Sequence, residues 1–239
     1  MRYLGGKART AKPIAQFLMN LREDGQSYWE PFVGAGWVLS RIHSGERYAS
    51  DFSLPLISMW SALVNGWTPP THVSEAEYAN ARLLPDTNPL KAFVGFGCSF
   101  SGKYFGGYAR DNTGRNYARN AHNSIMKKVN EIGTDANFFN ADFMNTNSPQ
   151  SNMLVYCDPP YKNTTGYSTG EFDHAAFWDK CLSLSTEGNT VVVSEYEAPE
   201  PFECVLEIAT KTDMREKSGR SKRTEKLFVL RGTYKGDRE

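Results

Sequence analysis

Apolar residues recur along this chain in two rhythms. In residues 8–24, Ile14, Phe17, Leu18 and Leu21 share one face of a 3.6-residue repeat that stops at Gly25, which predicts a helix. Residues 28–33 read as a strand that ends in Gly34-Ala35-Gly36, and Val38, Leu39 and Ile42 predict a helix after that turn, closed by Gly45. Residues 47–50 predict a second short strand ending at Asp51, followed by a helix through Leu56, Ile57, Trp60 and Leu63.

From about residue 67 to 133 this rhythm is lost. The section is rich in Gly, Asn, Tyr and Arg and reads as an inserted, partly helical lobe. Strands resume at 137–141 and 153–157, a helix follows over 174–185, and 190–194 is a strongly apolar strand. Residues 202–208 and 226–230 predict a closing strand pair, joined by a basic segment, that makes one sheet edge antiparallel. Strands alternating with helices predict an α/β fold with a mostly parallel sheet. Residues 1–66 and 134–239 then form the main domain and 67–133 the insertion.

Three features fall on one rim of that sheet. Asp158-Pro159-Pro160-Tyr161 ends a buried strand: two prolines cannot continue a ladder, so the chain is fixed into a rigid turn at a strand's carboxyl end. Ligands sit at such ends in open α/β sheets. A carboxylate, backbone carbonyls and an aromatic ring there suit a flat ring bearing an amino group. The glycine turn at 34–36 lets a ligand approach the backbone, and Asp51 is placed for ribose hydroxyls or for capping the next helix. Leu39 stands where a dinucleotide fingerprint needs a third small residue, which argues against a nicotinamide enzyme.

With these motifs in order, the chain resembles the Dam-like DNA adenine-N6 methyltransferases, whose motifs run cofactor-first and catalytic-last. Tyr3-Leu4-Gly5-Gly6-Lys7 resembles that family's opening element, and Glu30-Pro31-Phe32-Val33-Gly34-Ala35-Gly36 its main cofactor turn. Asp51 matches the ribose-binding acid, Asp142-Phe143 the element beside the cofactor's adenine, and Asp158-Pro159-Pro160-Tyr161 the catalytic motif. Val193-Ser194-Glu195-Tyr196 resembles a later strand-end element near the active site. The resemblance implies a Rossmann-like methyltransferase fold, S-adenosylmethionine as cofactor, and double-stranded DNA as partner. Tyr3, Gly6, Lys7, Phe32, Gly34, Gly36, Asp51, Asp142, Phe143 and Asp158 would hold the cofactor. Asp158, with the Pro159 carbonyl, would accept the hydrogens of the target amine while Tyr161 stacks on the base, flipped out of the duplex. The residue types leave alternatives open: cytosine-N4 enzymes usually show Ser at the position of Asp158 and glutamine-directed ones Asn, RNA is a further substrate, and a binding module without catalysis is another class.

Net charge is zero, so charge alone announces no nucleic-acid partner, yet the bases are clustered. Lys103, Arg110, Arg115, Arg119, Lys127 and Lys128 face only Asp111, with Tyr104, Phe105, Tyr108 and Tyr117 among them. That mixture suits a surface that grips phosphates and stacks bases, with Lys103, Tyr104, Arg110, Arg115, Asn116 and Arg119 as candidate contacts. The region around 99–119 lacks the family's Asn-Val-Pro-Phe-Gly-like reading stretch, so the target sequence is not legible. A second basic group runs from Lys211 to Lys226. Apolar residues make up 40% of the chain, enough for a sizeable core. No run of about 18 apolar residues predicts a membrane span, and the first seven residues lack the apolar core of a signal peptide, so the expectation is a cytoplasmic protein. Cys98, Cys157, Cys181 and Cys204 show no paired spacing, and four scattered histidines add none, so no metal site is expected. Cys157 and Cys204 lie in apolar runs and read as core residues.

Overall fold

The computed structural model describes residues 3, 5–110, 112–161, 172–209 and 224–234. The second basic group lies outside them, except for Lys226. Seven strands form one sheet in the order β3-β2-β1-β4-β5-β7-β6. These are β1 (Tyr28–Glu30), β2 (Arg47–Asp51), β3 (Ala136–Asn140), β4 (Leu154–Cys157), β5 (Thr190–Glu195), β6 (Phe202–Ile208) and β7 (Glu225–Leu230). The first five run parallel, and β7 pairs antiparallel with both β5 and β6. This is the Rossmann-like α/β fold with an antiparallel edge that the sequence predicts. Strand order reverses between β1 and β4, which makes the gap beyond their carboxyl ends the switch point where such sheets bind ligands.

Side chains alternate faces along each strand, so the two faces feed two cores. Tyr28, Leu154, Tyr156, Val192, Leu227 and Val229 enter one, while Trp29, Val155, Cys157, Val191, Val193 and Phe228 enter the other. The first core is covered by α1 (Ala11–Leu21), α2 (Leu54–Val64), α4 (Pro89–Gly97) and α5 (Tyr117–Ile132), and the second by α6 (His174–Thr186). Helices α4 and α5 come from the section expected to be inserted, yet Phe93, Ala121 and Ile125 pack in the same core as the sheet. The short α3 (Glu75–Ala81) begins with a reciprocal capping box between Ser74 and Glu77.

Two expectations are corrected. The helix expected after the glycine turn is a single 3-10 turn at Leu39–Arg41. The carbonyls that an α-helix would use are taken by side chains instead: Lys128 donates to the Ala35 oxygen and Arg41 to that of Trp37, at 2.6 Å for the latter. Cys204 is exposed: it sits on the edge strand β6, where the register with β7 shifts between Cys204 and Leu206, and its side chain joins neither core.

Candidate active site

The rim of the sheet is built from strand ends in their spatial order. At the end of β1, Gly34 and Gly36 both have positive φ, +47° and +63°. A Cβ on Gly36 would come within 2.9 Å of Trp60 Cζ2, so the turn is shaped for glycine by sterics as well as by backbone conformation. The Trp60 indole N–H donates to the Gly34 carbonyl at 2.9 Å, and a Cβ on Gly34 would come within 3.2 Å of the Tyr3 ring. Beneath the turn the Lys128 ammonium bonds Ala35 O and sits 3.8 Å from the centre of the Trp37 ring.

Asp51 ends β2 beside this turn. Its carboxylate accepts the N–H of Gly34 and that of Ser53, each at 3.0 Å. Asp51 therefore ties the glycine turn to the Ser53 N–H at the start of α2. Burial raises its carboxyl to about 6, against the opposing pull of the two N–H groups. Phe52, the next residue, is 62% exposed and offers an apolar surface at the rim, which the sequence reading missed. Asp142, two residues past β3, caps a 3-10 turn at Phe143–Asn145, accepting the Met144 N–H at 3.1 Å and the Asn145 amide at 2.7 Å. Phe143 turns inward, buried among Trp29, Phe32 and Phe177.

The end of β4 carries the catalytic candidates, and here charges replace neutral contacts. Lys7 reaches across from the amino terminus: its ammonium lies 2.7 Å from Asp158 Oδ1, 2.6 Å from the Tyr161 hydroxyl and 3.5 Å from Glu225 Oε1. Tyr161 in turn donates to Glu225 at the start of β7. Burial pulls the Lys7 amine down, but the two carboxylates outweigh it and leave it above the ordinary lysine value. Asp158 is raised to about 6, by burial first and by Glu225 as well, with Lys7 opposing both. Tyr196, after β5, meets the Tyr161 ring edge-on at 4.8 Å. Ser194 shares a 2.9 Å hydrogen bond with the Tyr156 hydroxyl, and Glu195 accepts the Tyr196 N–H at 2.8 Å.

The structure thus brings Lys7, Asp158 and Tyr161 together, with Lys7 at the catalytic turn and Tyr3 and Gly6 nearer the glycine turn. Glu225 was legible only as one acid in a basic run; nothing in its local pattern signals that it closes this cluster. Lys128 did leave a signal, since Ala118, Ala121, Ile125, Lys128 and Ile132 fall at helical spacing on one buried face. Among the nucleic-acid candidates, Lys103, Arg110, Arg115 and Arg119 are exposed. Arg110 pairs with Glu75, and Arg115 lies over the Tyr117 ring. Tyr104 packs inward on Phe96, with ring centres 4.5 Å apart, over the bare backbone of Gly95. Asn116 caps α5, accepting from the Arg119 N–H at 2.9 Å and donating to Thr71 O at 3.1 Å. Among the described residues no cluster of three His, Cys, Asp or Glu side chains could hold a metal, and no helix is long and apolar enough to cross a membrane.

Comparison with known proteins bears on this rim directly. Residues 99–217, which include the proline turn, match the family model of D12 class N6 adenine-specific DNA methyltransferases. No curated protein sequence matches the chain. Among solved structures, the chain is similar to the rRNA methyltransferase aviRa of Streptomyces viridochromogenes, at 16% identity and a TM-score of 0.45 over 93% of this chain and 84% of that one. It is also similar to SMU.472, assigned as a methyltransferase and complexed with SAH, at 9% identity and a TM-score of 0.36 over 95% of this chain and 54% of that one. With the motifs in order, the match over residues 99–217 supports a Dam-like adenine methyltransferase family.

Proposed function

We propose that the protein transfers a methyl group from S-adenosylmethionine to the N6 amine of adenine in double-stranded DNA. The observation that carries this reading is the Asp158-Pro159-Pro160-Tyr161 turn at the end of β4, across the switch point from the glycine turn at the end of β1.

The residues present fit the cofactor. Gly34 and Gly36 set a tight turn that carries no side chain into the rim, Asp51 supplies a carboxylate for ribose hydroxyls beside its bonds to Gly34 and Ser53, and the exposed Phe52 ring next to it suits a purine face. When bound, the cofactor supplies a methyl group already activated on a sulfonium. The chain's own task is to make the amine a nucleophile. An adenine amine is weak because its lone pair is delocalised into the ring. The Asp158 carboxylate and the Pro159 carbonyl accept its two hydrogens and so favour a localised lone pair. Tyr161 holds the base by stacking, and the exposed cations of the 99–119 region offset the cost of flipping, a few kcal/mol, through phosphate contacts. Positioning and electrostatics carry the rate, with no covalent enzyme intermediate.

The test is incubation with methyl-labelled S-adenosylmethionine and either genomic DNA or total RNA, followed by sequencing for modified bases. The expected result is N6-methyladenine in DNA, lost in Asp158→Ala with about a hundredfold or greater fall in kcat, as for loss of one preorganised transition-state contact. Label confined to RNA, or near-normal turnover by Asp158→Ala, overturns it. Asp51→Ala should weaken cofactor binding by about 1–3 kcal/mol through loss of charge-assisted hydrogen bonds. Because the ionised form is the acceptor, wild-type affinity should fall as pH drops through about 6. Calorimetry showing unchanged affinity in the variant would leave Asp51 as a helix brace alone.

A further inference from the structure

The charge count at the catalytic turn is uneven: one ammonium faces two carboxylates. Lys7 is closest to Asp158, at 2.7 Å, but it also donates to the Tyr161 hydroxyl at 2.6 Å and lies 3.5 Å from Glu225. The Tyr161 hydroxyl donates to Glu225 and is also within hydrogen-bonding reach of Asp158, so Glu225 and Asp158 share both Lys7 and the Tyr161 hydroxyl. All four groups are largely buried, with the side chains of Lys7 and Glu225 each 9% exposed. In such surroundings a charge is screened little, and each partner's share of Lys7 matters to the other.

On the reading of Asp158 as the amine's acceptor, we propose that Glu225 is a positioning residue: it anchors the Tyr161 hydroxyl and draws Lys7 away from Asp158, so that Asp158 is not neutralised by a private ion pair. Two consequences follow from the geometry. The phenol held at Glu225 fixes the ring of Tyr161, which is otherwise oriented by its edge contact with Tyr196. And the basicity of Asp158, on which its strength as an acceptor depends, is lowered by Lys7 and raised by Glu225, with Lys7 the nearer and stronger influence. Among the described residues, other titratable groups facing this cluster are Tyr156 and Cys157 on β4, Glu30 on β1 and Tyr196 after β5; Lys226, next in sequence, pairs with Glu207 on β6.

The test separates the charge of Glu225 from its hydrogen bond. Glu225→Gln keeps an acceptor for the Tyr161 hydroxyl and removes the charge, whereas Glu225→Ala removes both. Carbon-13 titration of the Asp158 carboxyl in the cofactor-free protein should show its midpoint falling in Glu225→Gln by about half a unit or more, since a neighbouring negative charge is gone and Lys7 is no longer shared. The acid limb of the kcat–pH profile should move down with it, with KM for S-adenosylmethionine unchanged. Glu225→Ala should lower kcat by a further factor of about ten through a loosened Tyr161. An Asp158 midpoint that stays in place in Glu225→Gln overturns the proposal. If no methyl transfer to DNA is found at all, the substrate assignment fails, and the titration still decides whether Glu225 governs Asp158. Should Glu225→Ala fail to fold, the Gln variant alone carries the decision.

Discussion

Two turns at the switch point are each clasped by a buried lysine, and the two lysines are held in opposite ways. Lys7, 9% exposed, lies between the carboxylates of Asp158 and Glu225, and its amine sits above the ordinary lysine value. Lys128, 2% exposed, meets a backbone carbonyl and the faces of Trp37 and Trp60. Burial, joined by Arg41, lowers its amine to about 7, with Glu131 and Glu30 opposing. Depth alone does not decide the charge of a buried lysine; the partner does. At the glycine turn, Lys128 meets only a backbone carbonyl and aromatic faces, and the Asp51 carboxylate is held by backbone N–H groups with no cation paired to it. At the proline turn, Lys7 is balanced between two carboxylates.

The largest expected effect comes from taking the ammonium away from the charged turn. Lys7→Met would leave two buried carboxylates facing each other, and breaking such a pair costs about 3–5 kcal/mol of stability. The loss should depend on pH. Without Lys7 the Asp158 carboxyl moves further above about 6, so it is protonated at pH 5.5 and the repulsion is relieved there. Urea unfolding should therefore show a larger deficit at pH 8 than at pH 5.5. Equal deficits at both would mean that Lys7 packs as a spacer and balances no charge.

Much of this was legible in the chain. The strands ending at Glu30, Asp51 and Cys157 are short apolar runs cut by Gly or Pro or closed by an acid, and such punctuation survives folding because it follows from backbone chemistry. Asp158, Tyr161 and Lys7 stood out through motif order, and the structure brings Lys7 to the proline turn, where it meets Asp158 and Tyr161. Glu225 was not, because its role arises only when β7 inserts between β5 and β6 and brings a distant segment to the end of β4. The helix after the glycine turn was predicted from spacing alone. It gave way because Lys128 and Arg41, side chains outside that pattern, took the carbonyls it needed.

Lys128→Met sharpens the comparison from the other side. The variant gives up one bond to the Ala35 carbonyl, a loss of about 1–3 kcal/mol, but it also removes the cost of burying an amine, so the net change at pH 7 should be the smaller of the two lysine variants. The pH signature has the opposite cause. An amine lowered to about 7 in the folded chain takes up its proton more readily when unfolded, so its contribution to stability rises with pH above 7 toward the ordinary lysine value. Wild type minus variant, measured by unfolding at pH 7, 8 and 9, should show that rise. A difference that stays flat would mean Lys128 remains charged beside Trp37, and the contrast with Lys7 would collapse.

The smallest effect on the fold, and the one that divides the basic run itself, is expected from Arg115→Ala. Read as sequence, Arg115 and Lys128 belong to one stretch of cations among tyrosines. In the structure Arg115 is exposed over the Tyr117 ring, while Lys128 is in the core. An exposed guanidinium contributes little to stability, typically within about 0.5 kcal/mol, so the unfolding midpoint of Arg115→Ala should stay near wild type. Its effect should appear only with DNA present: the slope of log affinity against log salt should flatten by about one unit for a lost phosphate contact. Cofactor affinity should not change, because Arg115 is not among the residues that form the glycine turn. If Arg115 reads a base edge instead, affinity should fall for some sequences and not others, and site preference should relax. Lys128→Met should do the reverse, altering stability while leaving the salt slope intact. Should Arg115→Ala bind DNA with wild-type salt response and site preference, this part of the lobe does not grip DNA, and the basic segment before β7 becomes the surface to test.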